Sequence, residues 1–177
     1  VSYDEGQSWH DSKRLVTSPF LNISTLVKND AFIYGDGSIG ISAYHELKGE
    51  FSEVVRVNLN GDVITKYRMT SGTNTIQPSL VIKNETDAVA LMRDSGRDKQ
   101  RVHFTETTDA GKTWSPYMAL DVKNPNSAVY AFSDHENRTW MVFNDSTRDV
   151  EHSRNNLALA VSDDTAKGWR TVHYFQN

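Results

Sequence analysis

A four-point pattern, Ser/Thr-x-Asp-x-Gly-x-x-Trp, constrains this chain more than any other feature. It runs from Thr107 through Asp109 and Gly111 to Trp114, and again from Ser2 through Asp4 and Gly6 to Trp9. A worn third copy comprises Ser162, Asp164 and Trp169, with Ala166 in the glycine position. Each residue type suits a tight connection between antiparallel strands. Asp and Ser/Thr oxygens accept hydrogen bonds from backbone N–H groups a residue or two away. Glycine reaches φ > 0 without a Cβ clash. Tryptophan is wide enough to wedge between neighbouring strands and exclude water. One copy would mark a turn, whereas three copies imply a repeat.

The spacing sets the length of that repeat. Asp109 to Asp164 is 55 residues, and Asp4 to Asp109 is 105, close to two such steps. The skipped copy falls near Asn58–Asp62, where Asn-Leu-Asn-Gly-Asp separates Val54–Val57 from Val63–Ile64. An Asn-Gly pair between β-branched runs is a strong hairpin signal, so a different tight turn replaces the missing box. A second marker keeps nearly the same step. Ile23–Val27, Lys28-Asn29-Asp30 and Ala31–Tyr34 read as strand, turn and strand. So do Ser79–Ile82, Lys83–Asp87 and Ala88–Met92, and then Ala128–Phe132, Ser133–Asn137 and Thr139–Phe143. Lys28 to Lys83 is 55 residues and Lys83 to His135 is 52.

Each period holds four short strands, and no window shows sustained helical periodicity. The expected fold is all-β: propeller blades of four antiparallel strands. The tail of one blade covers 1–18, and full blades cover about 20–70, 75–122 and 125–176. Propellers close with about 4–8 blades, and an open ring leaves apolar surface and strand edges uncovered. Two completions are open: the remainder of a longer chain, or a second copy forming a homodimer.

Composition narrows the function. The 177 residues include no cysteine, which removes disulfides and thiolate metal sites, and the net charge of -4 argues against nucleic acid. No apolar run is long enough to span a membrane. His103, His135, His152 and His173 are scattered, so no metal site is expected, and no cofactor is either. Chemistry is then expected at one mouth of the propeller, where loops carry function. Tyr44, His45 and Glu46 follow the run Ile39–Ala43. Gln77 sits in Ile-Gln-Pro-Ser, and Arg93 and Asp94 follow Ala88–Met92. Asn126 lies in Asn-Pro-Asn-Ser with Asn124 and Ser127, Asn144 and Asp145 follow Trp140–Phe143, and Arg154 precedes Leu157–Val161. Matching positions in successive blades face one axis, so these side chains are expected to converge. Arg148, Asp149, Glu151 and His152 read as an exposed loop.

These segments, taken in order, resemble the sialidase-like superfamily, whose blades carry Asp boxes (bacterial neuraminidase repeats), and within it the predicted-neuraminidase branch of bacteria. The resemblance rests on Tyr44–Glu46, Ile76–Ser79, Leu91–Asp94, Arg101–Trp114, Asn124–Ser127, Val142–Asp145 and Ser153–Asp164, and covers nearly the whole chain. It implies a six-bladed propeller that hydrolyses terminal, possibly acidic, sugars of glycans. A carbohydrate-binding or protein-interaction propeller without catalysis is the alternative. In the family three arginines hold the sugar carboxylate, a Tyr nucleophile is activated by a Glu, and an Asp serves as acid/base. By position Arg93 resembles the second arginine and Arg154 the third. The first arginine and the Asp would precede Val1, and the Tyr would follow Asn177. Tyr44, Asp94, Asn126 and Asn144 are the further expected substrate contacts. The family's Glu belongs near Gln77, and an amide cannot act as a general base. Gln77, Glu46 and His45 are therefore the expected candidates for the catalytic position.

Overall fold

A computed structural model of the chain describes residues 2–17, 25–47, 49–70, 74–96, 99–163 and 166–175. Among the described residues the regular structure is entirely strand, and no helix is long and apolar enough to cross a membrane. The first sheet holds β1 (Leu26–Val27), β2 (Phe32–Ile33), β3 (Ile39–His45), β4 (Phe51–Val57) and β5 (Val63–Arg68). The second holds β6 (Thr75–Ile82), β7 (Ala88–Asp94), β8 (Arg101–Thr107) and β9 (Met118–Lys123). The third holds β10 (Tyr130–Ser133), β11 (Thr139–Asn144), β12 (Leu157–Ser162) and β13 (Trp169–Tyr174). Neighbouring strands pair antiparallel throughout, in chain order within the second and third sheets. These sheets are the blades that the repeat implies.

Burial explains the strand sequences. β7 reads Ala-Val-Ala-Leu-Met along its length, and those residues are buried on both faces because the strand is sandwiched between neighbouring sheets. The last strand of the third sheet, β13, is largely exposed and mixes polar with apolar residues. The core lies between the sheets. Val81, Leu91 and Phe104 of the second sheet pack on Ala131, Met141 and Phe143 of the third. Val54 and Met69 of the first sheet meet Ala90 of the second, with Phe32, Leu80 and Trp114 packed around them. Each large apolar side chain so buried contributes roughly 1.5–3 kcal/mol.

The first sheet departs from expectation at its innermost edge. Residues 25–34 do not form a hairpin around Lys28–Asp30; the expected strand start at Ile23 lies outside the described residues. Leu26 pairs with Tyr44 and Ile33 with Ile39, so β1 and β2 run along the same edge of β3. Lys28–Ala31 is a bulge standing opposite only Ile41 and Ser42. The hairpin turn is Tyr34–Ser38 instead. There Gly37 N donates to Tyr34 O at 2.8 Å, Tyr34 N donates to Ser38 O at 2.8 Å, and Gly37 takes φ +82°. Asp36-Gly37 supplies the left-handed residue that a turn of this kind needs and Lys28-Asn29-Asp30 lacks.

The two described boxes share the hydrogen bonds of their Asp and Ser/Thr side chains. Asp109 Oδ1 accepts from Thr113 N at 2.9 Å, and Thr107 Oγ1 accepts from Gly111 N at 3.1 Å. Asp4 Oδ1 accepts from Ser8 N at 2.9 Å, and Ser2 Oγ accepts from Gly6 N at 2.7 Å. Trp114 Nε1 donates to Gly111 O at 2.9 Å, and Trp169 Nε1 donates to Ala166 O at the same distance. Ala166 takes φ +55°, so the third turn keeps its shape without glycine. Asp164 of that copy lies outside the described residues. The skipped position is a tight turn in which Asn58 N donates to Asp62 O at 2.9 Å.

The bonds from Thr113 hold the Asp109 carboxyl down to about 2. A carboxylate depressed in the folded state stabilises the fold above its unfolded value of about 4, and that contribution disappears as pH falls toward the folded value. We therefore expect Asp109→Asn to melt below the wild type at neutral pH, with the gap closing between about pH 4 and pH 2. Thermal melts of both proteins across that range check this; a gap independent of pH would assign the loss to packing rather than charge.

Candidate functional site

Strand register separates the two ends of the second blade. Ala88 pairs with Thr107, so the Asp box lies at the start of β7, and Arg93 lies at the opposite end. Asn144 pairs with Leu157 at the matching end of the third sheet, and Tyr44 occupies the matching end of β3. The β11–β12 connection carrying Arg154 leaves from that same end.

Two left-handed residues build the site. The first is Gln77, at φ +55° in a bulge where Gln77 and Pro78 stand opposite Met92 alone. Its Oε1 accepts from Arg93 NH1 at 3.2 Å, and its Nε2 donates to Tyr44 OH at 3.3 Å. The second is Asn126, at φ +59°. Buried Asn124 sets this turn: its Nδ2 donates to Ser127 O at 2.9 Å, and its Oδ1 accepts from Ser127 N at 3.2 Å. Asn126 then accepts twice, with its side-chain Oδ1 from Arg93 Nε at 2.7 Å and with its carbonyl from Arg154 NH2 at 2.8 Å. Asparagine tolerates this backbone better than most residues. One asparagine thus holds both arginines.

The electrostatics at Arg93 are unbalanced. Burial pushes its pKa down, Arg154 and Arg148 push it the same way, and only Glu46 and Tyr44 pull it up. Among the described residues no carboxylate oxygen lies within 4.0 Å of Arg93, Arg148 or Arg154. The acids that might pair with them are engaged elsewhere. Asp145 accepts from Tyr174 OH at 2.7 Å and lies 3.9 Å from Lys123 Nζ. Buried Asp94 accepts from Gly96 N at 2.8 Å and Gln100 N at 2.7 Å.

The structure thus gathers Tyr44, Gln77, Arg93, Asn126 and Arg154, with exposed Glu46 within electrostatic reach of Arg93. Asn144 joins the rim through Ser127, its Nδ2 donating to Ser127 Oγ at 3.2 Å, while its Oδ1 is buried without a protein partner. Two expected residues are not brought in. His45 points to the other face of β3, 2.8 Å from Glu53 Oε1 and stacked on Phe51 at 4.4 Å. Asp94 holds the backbone at Gly96 and Gln100. Arg148 is a correction in the other direction. It is half-buried rather than part of an exposed loop, and its NH2 donates to Ser95 O at 2.6 Å. Its only sequence signal is a place one hairpin beyond Arg93.

No group of His, Asp or Glu among the described residues is arranged to hold a metal ion. A cavity of about 360 Å³ lies elsewhere, between the first two sheets near Phe32 and Trp114. Its lining is mainly apolar and holds none of the arginines.

Fold and site together define a β-propeller with a cationic cluster at one mouth. The chain matches the BNR repeat-like domain over residues 1–177 and belongs to that family. No curated protein sequence matches it. Among solved structures it is similar to a K499G mutant of NanB sialidase from Streptococcus pneumoniae, with TM-score 0.75 and 16% identity over 99% of this chain and 27% of that one. It is similar to the intramolecular trans-sialidase from Ruminococcus gnavus, solved with oseltamivir carboxylate, with TM-score 0.70 and 15% identity over 99% and 40%. It is also similar to β-fructofuranosidase from Schwanniomyces occidentalis, with TM-score 0.63 and 15% identity over 86% and 34%. The chain therefore spans well under half the length of these neighbours. At such identities the likeness establishes the sialidase-like propeller fold, and the site residues must carry any functional reading.

If Asp94 serves the structure rather than a ligand, Asp94→Ala strands two half-buried N–H donors and costs roughly 2 kcal/mol of stability. A thermal melt should fall accordingly, with sugar affinity retained in the folded fraction. Undiminished stability combined with lost affinity would return Asp94 to the ligand.

Proposed function

We propose that the mouth formed by Gln77, Arg93, Asn126 and Arg154 recognises the carboxylate of a terminal acidic sugar, as part of a sialidase-like protein acting on glycans. The supporting observation is the pair of arginines held by one asparagine, with no carboxylate oxygen within 4.0 Å of either among the described residues. Guanidinium groups offer fixed, paired donors and permanent charge, which suits a planar carboxylate. A desolvated guanidinium beside a second one is at a disadvantage until an anion arrives. Sialidase neighbours share the fold, and one was solved with a carboxylate-bearing ligand, which supports the choice of an acidic sugar over a neutral one.

Hydrolysis is the reading for the whole propeller. A second reading, binding without turnover, draws support from Gln77. Its amide sits between the Tyr44 hydroxyl and Arg93, where a carboxylate would be needed to take a proton. Glu46, whose charge is felt at Arg93, is the carboxylate we assign as a substitute for that role.

Calorimetric titration with N-acetylneuraminate, run beside turnover of a fluorogenic sialoside, tests both readings. We expect the 177-residue chain to bind the acid without hydrolysing the sialoside, and Arg93→Ala to lose at least about tenfold in affinity. Unchanged affinity in Arg93→Ala removes the site. Hydrolysis by the wild type that disappears in Glu46→Gln would replace the binding reading with a catalytic one.

A further inference from the structure

Lys28 belongs to none of the groups above, and its surroundings are unusual. The bulge that carries it brings the innermost strand of the first sheet against the bulge of the second. Asn29 Nδ2 donates to Pro78 O at 2.7 Å and to Gln77 O at 3.2 Å. The next link is Gln77 itself, whose side chain accepts from Arg93. Lys28 then reaches past the second sheet: its Nζ donates to Val129 O, at the entrance to the third sheet, at 3.4 Å, and to Asn29 Oδ1 at 2.9 Å. A single ammonium group therefore touches two sheets on either side of Arg93.

Its partners are neutral. Among the described residues no carboxylate oxygen lies within 4.0 Å of Lys28 Nζ. The adjacent Asp30 carboxylate is occupied by Tyr130, whose hydroxyl donates to Oδ2 at 2.5 Å. Burial and the positive charge of Arg93 both push the lysine pKa down, with Asp30 opposing them. An exposed ammonium that feels a guanidinium and donates only to neutral carbonyl and amide oxygens gains little as an inter-sheet tie. A neutral donor would bridge Asn29 and Val129 with less penalty. The positive charge gains a purpose only when an anion sits near Arg93.

We propose that Lys28 is a specificity-determining residue of the Arg93 site, adding an ammonium from the first sheet to the guanidinium of the second and thereby selecting carboxylate-bearing sugars over neutral ones. This rests on the carboxylate-recognition reading above. Selection arises because a neutral sugar leaves both cations uncompensated, whereas a carboxylate offsets them together.

The test is calorimetric titration of the purified protein with N-acetylneuraminate and with neutral N-acetylglucosamine, each at low and high salt. Lys28→Gln keeps a donor for the Val129 carbonyl and removes the charge, and Lys28→Met removes both. We expect each variant to lose about tenfold in affinity for N-acetylneuraminate, with a shallower salt dependence and no change toward the neutral sugar. A lower melting temperature is expected for Lys28→Met alone. Wild-type affinity in Lys28→Gln overturns the assignment, as does an equal loss toward both sugars, which would make Lys28 a structural tie. Arg93→Ala separates the two ideas. If it loses binding while Lys28→Gln keeps it, only the lysine assignment falls; if it keeps binding, or if the wild type does not bind N-acetylneuraminate, the site itself falls.

Discussion

The contact on which the rest depends is the docking of one innermost strand onto the next. The innermost strands of the first and second sheets each break their ladder at a bulge, which frees backbone carbonyls and side chains to face the neighbouring sheet rather than their own partner strand. Asn29 fills the carbonyls freed at Gln77 and Pro78. One sheet further on, Ser79 Oγ accepts from Ala131 N at 2.9 Å and joins β6 to β10. These cross-sheet bonds fix the spacing of the sheets where they approach most closely. Without them Arg93 would have no fixed relation to Asn126 or Arg154, which come from the third sheet.

The two ends of each sheet do different work. At the box end, the box carboxylates are spent on their own turns: Asp109 and Asp4 accept from local N–H and hydroxyl donors, and Trp114 and Trp169 cap the turns they follow. At the mouth, the donors exceed the acceptors. Lys28, Arg93, Arg148 and Arg154 are held by carbonyls and amides rather than carboxylates. A chain with a net charge of -4 has acids to spare, yet Asp94 is turned to backbone N–H groups and Asp145 to Tyr174, and Glu46 acts on Arg93 only through its field. That distribution is what a site for an anionic ligand requires, and it is the reverse of what inter-blade ion pairing would produce.

Much of this is legible in the sequence. The boxes, their step and the Asn-Gly substitute are local features in which residue type dictates turn geometry, so the sheets followed from spacing. Gln77, Arg93, Asn126 and Arg154 meet because strand ends in a repeated blade face a common axis, a placement that the repeat spacing predicts. The innermost edge of the first sheet was misread because Lys28-Asn29-Asp30 has turn composition. Composition does not distinguish a turn from a bulge; pairing does, and pairing is non-local. His45 was misplaced for a related reason. Side chains alternate across a strand, so of three consecutive polar residues only alternate ones can face the axis. Arg148 and Lys28 owe their roles to contacts made more than fifty residues away in the chain, with Ser95 and Val129, which no local pattern announces.

The central claim is that the mouth is a set of cations awaiting a carboxylate. A crystal structure of the protein with bound N-acetylneuraminate tests it most directly. The account predicts the sugar carboxylate within hydrogen-bonding distance of both Arg93 and Arg154, with the Asn126 backbone unmoved. A carboxylate bound elsewhere, or Arg93 and Arg154 paired with protein acids and closed to the ligand, would contradict it.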